Sequence, residues 1–222
     1  MFRFKNQTYD NNIYMKWIYY LYCGLMMNLG LLILNLPFFG VANFLAIAPE
    51  NLGIFVLSTI LFYPAIIIIF AAMDHYRIYG EIESFKFFFQ IGLKKYGLKG
   101  FKYGICLTLM LFITISDALL FYHLPFAKIT VPFFILLSVL AIAFTINLLY
   151  FRVRNYTASL KDIMRISIYY LLRKWYVSLL NLGLFFSMMA LMILKPQFGF
   201  ILTPVLFIGT IFLNCSKLHQ QK

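Results

Sequence analysis

The chain has 222 residues, 63% of them hydrophobic and only 12% charged, with a mean hydropathy of +0.87. A soluble domain carries about a quarter charged residues and cannot bury so much apolar surface, so lipid must solvate much of this chain. The net charge of +12 would suggest nucleic acid in a soluble protein. Beside membrane spans it points to anionic inner-leaflet lipids, at about 1 kcal/mol per Lys or Arg near the surface, and no nucleic-acid partner is expected.

Six apolar stretches follow one another, at about 17–36, 52–73, 103–122, 129–151, 175–194 and 198–214. About 20 helical residues cross the roughly 30 Å hydrocarbon core. The last two stretches are separated by Lys195, Pro196 and Gln197, which reads as a tight turn and leaves the sixth span short. After the first span, Ala46-Ile47-Ala48 has the pattern of a signal-peptidase site. The apolar run before it is too long for a signal peptide, and Pro49 disfavours cleavage, so an uncleaved first span is expected.

The basic residues sort cleanly onto this frame. Arg3, Lys5 and Lys16 precede the first span, and Arg77, Lys86, Lys94, Lys95, Lys99 and Lys102 lie between spans two and three. Arg152, Arg154, Lys161, Arg165, Arg173 and Lys174 lie between spans four and five, with Lys217 and Lys222 after the sixth. Seventeen of the nineteen Lys and Arg thus share one side, and only Lys128 and Lys195 fall on the other. The positive-inside rule puts both termini in the cytoplasm.

The two basic linkers look alike. A shift of about 75 residues lays Ser84-Phe85-Lys86 on Ser159-Leu160-Lys161. At 100° per residue, Phe85, Phe88, Phe89, Gly92, Leu93 and Tyr96 share one helix face, as do Leu160, Ile163, Met164, Ser167, Ile168 and Leu171. Ser159 and Asp162 form a helix N-terminal capping pair. Each linker is expected to be an amphipathic helix at the inner membrane surface. The expected fold is therefore all-α and polytopic: one integral membrane domain over residues 1–222, six transmembrane helices in three span pairs, and two cytoplasmic amphipathic linker helices. Lys86, Lys94, Lys95, Lys99, Lys161, Arg165, Arg173 and Lys174 form its expected inner surface for lipid or a partner. Topological anchoring alone also accounts for their charge.

Asp117 is the acid placed well inside an apolar run, and intramembrane carboxylates often mark proton or substrate paths. It sits near the outer end of span three, where water can also reach it. Asn28, Asn35, Asn147 and Asn181 put amides inside spans one, four and five. Hydrogen bonding between helices is their ordinary role, and a polar site shared with Asp117 the sharper one. Gly100 and Gly104 form a small-xxx-small pair entering span three. Asp74, His75 and Arg77 read as a solvated helix end. Cys23, Cys106 and Cys215 lack disulfide or metal spacing. No phosphate loop, metalloprotease His pair or nucleophile elbow is present, so neither catalysis nor a metal or cofactor is expected.

With these pieces in order, the chain resembles the YesL-like family of bacterial integral membrane proteins. The likeness is carried by Asn28 through Pro37, then Tyr63-Pro64-Ala65 with Ala71-Ala72-Met73. It continues through Arg77, Glu81, the run Phe85-Lys86-Phe87-Phe88-Phe89 and Lys94-Lys95, and loosely through Arg173-Lys174-Trp175 and the final hairpin. The chain departs from the family in its longer connection at about 38–51 and in Tyr63, where Gly is common. The resemblance implies a small helical protein of the bacterial cell membrane with no assigned reaction. It also implies an accessory role beside a carbohydrate ABC uptake system, with an ABC permease or another membrane protein as partner; a small transporter is the alternative.

Overall fold

A computed structural model describes residues 13–80 and 87–217. The chain forms α1 (Ile13–Leu34), α2 (Leu36–Phe44), α3 (Leu52–Ser58), α4 (Phe62–Tyr79), α5 (Leu98–Phe121), α6 (Ala127–Arg154), α7 (Leu160–Arg173), α8 (Trp175–Leu194), α9 (Pro196–Leu202) and α10 (Pro204–Ser216), with no strand among the described residues. Among the described residues five rods are long and apolar enough to cross a membrane: Ile13–Leu34, Pro49–Tyr79, Phe87–Phe121, Ala127–Arg154 and Trp175–Leu194. The pair α9 and α10, bent by 46°, makes a sixth when counted as one broken span. The all-α polytopic architecture read from the sequence is the one observed.

Several boundaries differ from the hydropathy reading, each for a local reason. Span two begins at Pro49, because 3₁₀ turns at Pro49–Asn51 and Thr59–Leu61 join α3 to α4 in one rod. That rod ends at Gly80, whose left-handed φ of +77° lets its N–H reach the Tyr76 carbonyl at 2.8 Å. Half of the connection expected at about 38–51 is helix α2. Phe38 of α2 sits edge-on to Phe62 at 5.0 Å and also meets Phe55 and Phe200, closing one end of the bundle with aromatic rings.

The first linker is not a separate surface helix. Phe87–Gly97 winds as π-helix directly into α5, giving one rod from Phe87 to Phe121. With i→i+5 pairing, its inward face becomes Phe87, Phe88, Gly92 and Tyr96, and Leu93 of the face read at 100° per residue is exposed. The proposed 75-residue repeat therefore fails at the level of winding, since α7 is an ordinary α-helix separated from α8 at Lys174. The Ser84–Lys86 part of that comparison, with Lys86 itself, lies outside the described residues.

Glycines let this rod lie against span two. A Cβ on Gly92 would stand 2.5 Å from Ile68, one on Gly100 2.6 Å from the Pro64 Cα, and one on Gly104 2.6 Å from the Ile60 carbonyl oxygen. The two rods thus run antiparallel with backbones nearly touching, as the small-residue spacing predicts. Phe88, fully buried, presses its ring on Gly30 of α1.

The sixth span breaks at Thr203-Pro204, where proline removes a donor. One turn's hydrogen bond is then replaced from outside. In a regular helix the Val205 N–H would meet the Ile201 carbonyl. Here the Asn28 amide stands between them, accepting from Val205 N–H at 2.8 Å and donating to the Ile201 carbonyl at 2.7 Å. Asn28 is 3% exposed, so water has no access to repair this site.

Not all interior space is filled. Toward the aromatic end, α3 and α4, α5, α6 and α8 line an apolar cavity of about 550 Å³ that is open on one side.

Two substitutions test these contacts by thermal or denaturant unfolding in a fixed lipid mixture. Asn28→Leu keeps the branched side-chain shape but strands a buried donor and a buried acceptor, and should cost about 2–3 kcal/mol. Gly100→Ala drives a Cβ into backbone and should cost about 1–3 kcal/mol. Gly183→Ala, with nothing within 4 Å of the added carbon, should be neutral or gain up to about 1 kcal/mol.

Candidate functional site

Three of the four intramembrane amides, Asn28, Asn147 and Asn181, are spent on joining helices. Asn147 of α6 donates to the Ser178 hydroxyl of α8 at 3.3 Å. One turn along α8, Asn181 donates to the Cys215 sulfur at 3.2 Å and accepts from Asn214 at 3.2 Å, both on α10. Asn147 and Asn181 thus lie along one seam through α6, α8 and α10. Asn28 belongs to the break in the sixth span, some ten residues along α10 from this seam. Asn35 donates to the Leu31 carbonyl one turn back at 2.9 Å, and its buried Oδ1 has no partner among the described residues. Asp117 is half-buried and makes no hydrogen bond or ion pair among the described residues. The sharper sequence reading, one polar site built from Asp117 and these four amides, is not what the fold assembles: it brings together Asn147 and Asn181 and leaves the others apart.

Chemistry gathers instead at the basic end. The Asp74 carboxylate of α4 pairs with Arg154 of α6 at 2.6 Å, with side chains 15% and 28% exposed. Asp74 is therefore a partly buried ion-pair partner rather than a solvated helix end. Its neighbour His75 packs its ring on Tyr79 and Phe87. No group of three or more His, Cys, Asp or Glu that could hold a metal occurs among the described residues.

Arg152 is 5% exposed and binds inward. Its Nε donates to the Tyr103 hydroxyl at 2.8 Å, and its guanidinium reaches the carbonyls of Ala158 at 2.8 Å and Tyr156 at 3.4 Å. A buried guanidinium needs such acceptors to offset lost hydration. Here they also fix the loop after α6, and with it the Tyr156 ring. Lys99 places its ammonium 3.5 Å from the centre of that ring and Lys95 4.8 Å. Tyr96 stands edge-on to it at 5.4 Å. Two cations thus share one aromatic ring, each at cation–π distance.

The second linker forms a separate amphipathic helix, α7. The Ser159 hydroxyl accepts from the Asp162 N–H at 3.2 Å and donates to its carboxylate at 2.6 Å, so the expected capping pair forms. Ile163 and Ser167 face the bundle, and Tyr170 stacks on Phe151. Leu160, Met164 and Ile168 stay exposed as an apolar strip beside Lys161 and Arg165. An apolar strip bordered by cations suits a helix lying at a lipid headgroup layer. At its end, Arg173 donates to the Tyr169 hydroxyl, and Lys174 lies 5.9 Å over the Tyr176 ring.

Among the described residues, Lys94, Lys95, Lys99, Lys161 and Arg165 have no carboxylate within ion-pair distance. These five cations of the basic surface expected from the sequence therefore have no described acid neutralising them. The sequence reading missed Tyr156, Tyr103, Arg152 and Arg154 as its organisers. A usable signal was there: a tyrosine just past an Arg-x-Arg helix end. No protein-family model, curated protein or solved structure matches this chain.

Replacing both Lys95 and Lys99 by Gln should lower retention of phosphatidylglycerol through detergent washes, roughly fivefold per lysine. Phosphatidylcholine retention should not change. Quantifying bound lipid on purified wild-type and variant protein checks this.

Proposed function

We propose that this chain is a non-catalytic accessory protein of the bacterial cell membrane. In this reading it spans the bilayer six times with both termini in the cytoplasm. Its basic end engages anionic inner-leaflet lipid and a membrane partner, an ABC permease of a carbohydrate uptake system. The link to that system rests on the YesL-like resemblance. The orientation rests on the seventeen basic residues that share one side.

One observation carries the reading. The buried amides of Asn28, Asn147 and Asn181 are consumed in ties between helices, while Lys94, Lys95, Lys99, Lys161 and Arg165 at the basic end have no carboxylate within ion-pair distance among the described residues. A path for a sugar needs polar groups left over for the sugar. Here they are left over at one end, where a partner or headgroup can use them.

The bent sixth span favours a second reading, a small transporter or permease subunit. Discontinuous helices often line substrate sites because their broken turns expose backbone groups. Asn28 already occupies two of the groups freed at this break, the Ile201 carbonyl and the Val205 N–H, which weighs for the accessory role.

Copurification separates the two. An ABC permease expressed with this protein should be retained on it, and neutralising Lys94, Lys95, Arg173 and Lys174 together should abolish retention. Solute uptake by the protein alone in liposomes, lost in Asp117→Asn or Asn147→Leu, would replace the accessory reading with the transporter.

A further inference from the structure

We propose that the cavity between α4, α5, α6 and α8 is a binding site for one acyl chain of a membrane phospholipid, which enters sideways from the hydrocarbon layer. This goes beyond the accessory role and does not depend on it. The cavity, at about 550 Å³, falls within the roughly 300–1,000 Å³ of pockets that enclose small molecules. Its floor is made by Phe62, Tyr63 and Ile66, all buried. At its rim stand Leu119, Ile135 and Phe186, which are 41%, 54% and 46% exposed. The rim is thus built from side chains facing the bilayer. Helices α6 and α8 are pinned together at Asn147–Ser178, and the cavity extends from there toward the aromatic end between Ile142 and Met189.

Size and chemistry select the occupant. A helix about 10 Å across would fill 550 Å³ within roughly 7 Å of its length, fewer than about five residues, so no partner helix fits. A sugar or a water cluster needs free donors and acceptors. The threonine and serine hydroxyls on the wall already donate within the protein: Thr59 to the Val56 carbonyl at 2.6 Å, Thr145 to the Ala141 carbonyl at 2.6 Å, and Ser138 to the Phe134 carbonyl at 3.0 Å, with Thr114 a further partner of Ser138 at 2.8 Å. An unfilled apolar wall forfeits its dispersion contacts. A single hydrocarbon chain restores them without bringing a polar group inside. Tyr122, which lines the cavity from the end of α5 and is 65% exposed, stands where an interfacial tyrosine meets the ester and headgroup.

The test is photolabelling in phosphatidylcholine nanodiscs with a phosphatidylcholine probe bearing a diazirine midway along one chain. Label should concentrate several-fold on peptides covering residues 135–146 and 185–193, relative to the exposed apolar residues of α1. Val139→Trp, which fills the cavity, should cut that labelling several-fold. Leu136→Trp, exposed on the same helix and not on the cavity wall, should leave it unchanged. If Val139→Trp does not assemble, Ile135→Trp blocks the mouth instead. Even labelling of all exposed apolar residues, or an unchanged pattern in the cavity-filling variant, overturns the proposal. So does labelling there by a diazirine free fatty acid but not by the phospholipid probe.

Discussion

A chain dissolved in hydrocarbon must pair every backbone N–H and C=O within itself, because no water is at hand to do so. Uninterrupted helices meet this demand automatically. This bundle contains breaks, and its organisation follows from how each is repaired. At Pro204 the repair comes from α1, with Asn28 standing in for a lost helical turn. At Asn35, between α1 and α2, the side chain bonds back to the Leu31 carbonyl. After α6, the loop carbonyls of Tyr156 and Ala158 are taken up by Arg152. These three irregularities each recruit a polar side chain.

Between these polar ties, close approach does the rest. The glycine seam sets the rod Phe87–Phe121 against span two at near backbone contact, and Phe88 locks that pair onto α1. At one end a cluster of phenylalanines closes the bundle. At the other, the Asp74–Arg154 pair joins α4 to α6. The resulting protein has one apolar end with a cavity and one cationic end organised around Tyr156.

How much of this could be read beforehand depended on range. The helical class, the spans, the Ser159–Asp162 cap and the Gly100–Gly104 approach are local, each legible within a few residues. The basic segments were legible too, since charge beside a membrane needs no partner to be interpreted. The winding of Phe87–Gly97 was not, because assuming 100° per residue puts Leu93 on the wrong face, and nothing local announces a π-helix. Nor were the pairings Asp74–Arg154, Asn28–Val205 and Asn181–Cys215, whose members lie 80, 177 and 34 residues apart. A polar residue in a span says that a partner must exist. It does not say where in the chain that partner is.

That separation has a consequence for biosynthesis. Asn28 enters the membrane with the first span, while Val205 is made 177 residues later. At about 5–20 residues per second, that is roughly 10–35 s of translation. Through that interval the amide must be held by lipid headgroups, water at the translocon or a temporary neighbour. The last span then arrives with a break that only the first can mend, so the chain closes head to tail. A truncation that removes α10 would therefore leave a fault in the earliest helix as well as in the latest.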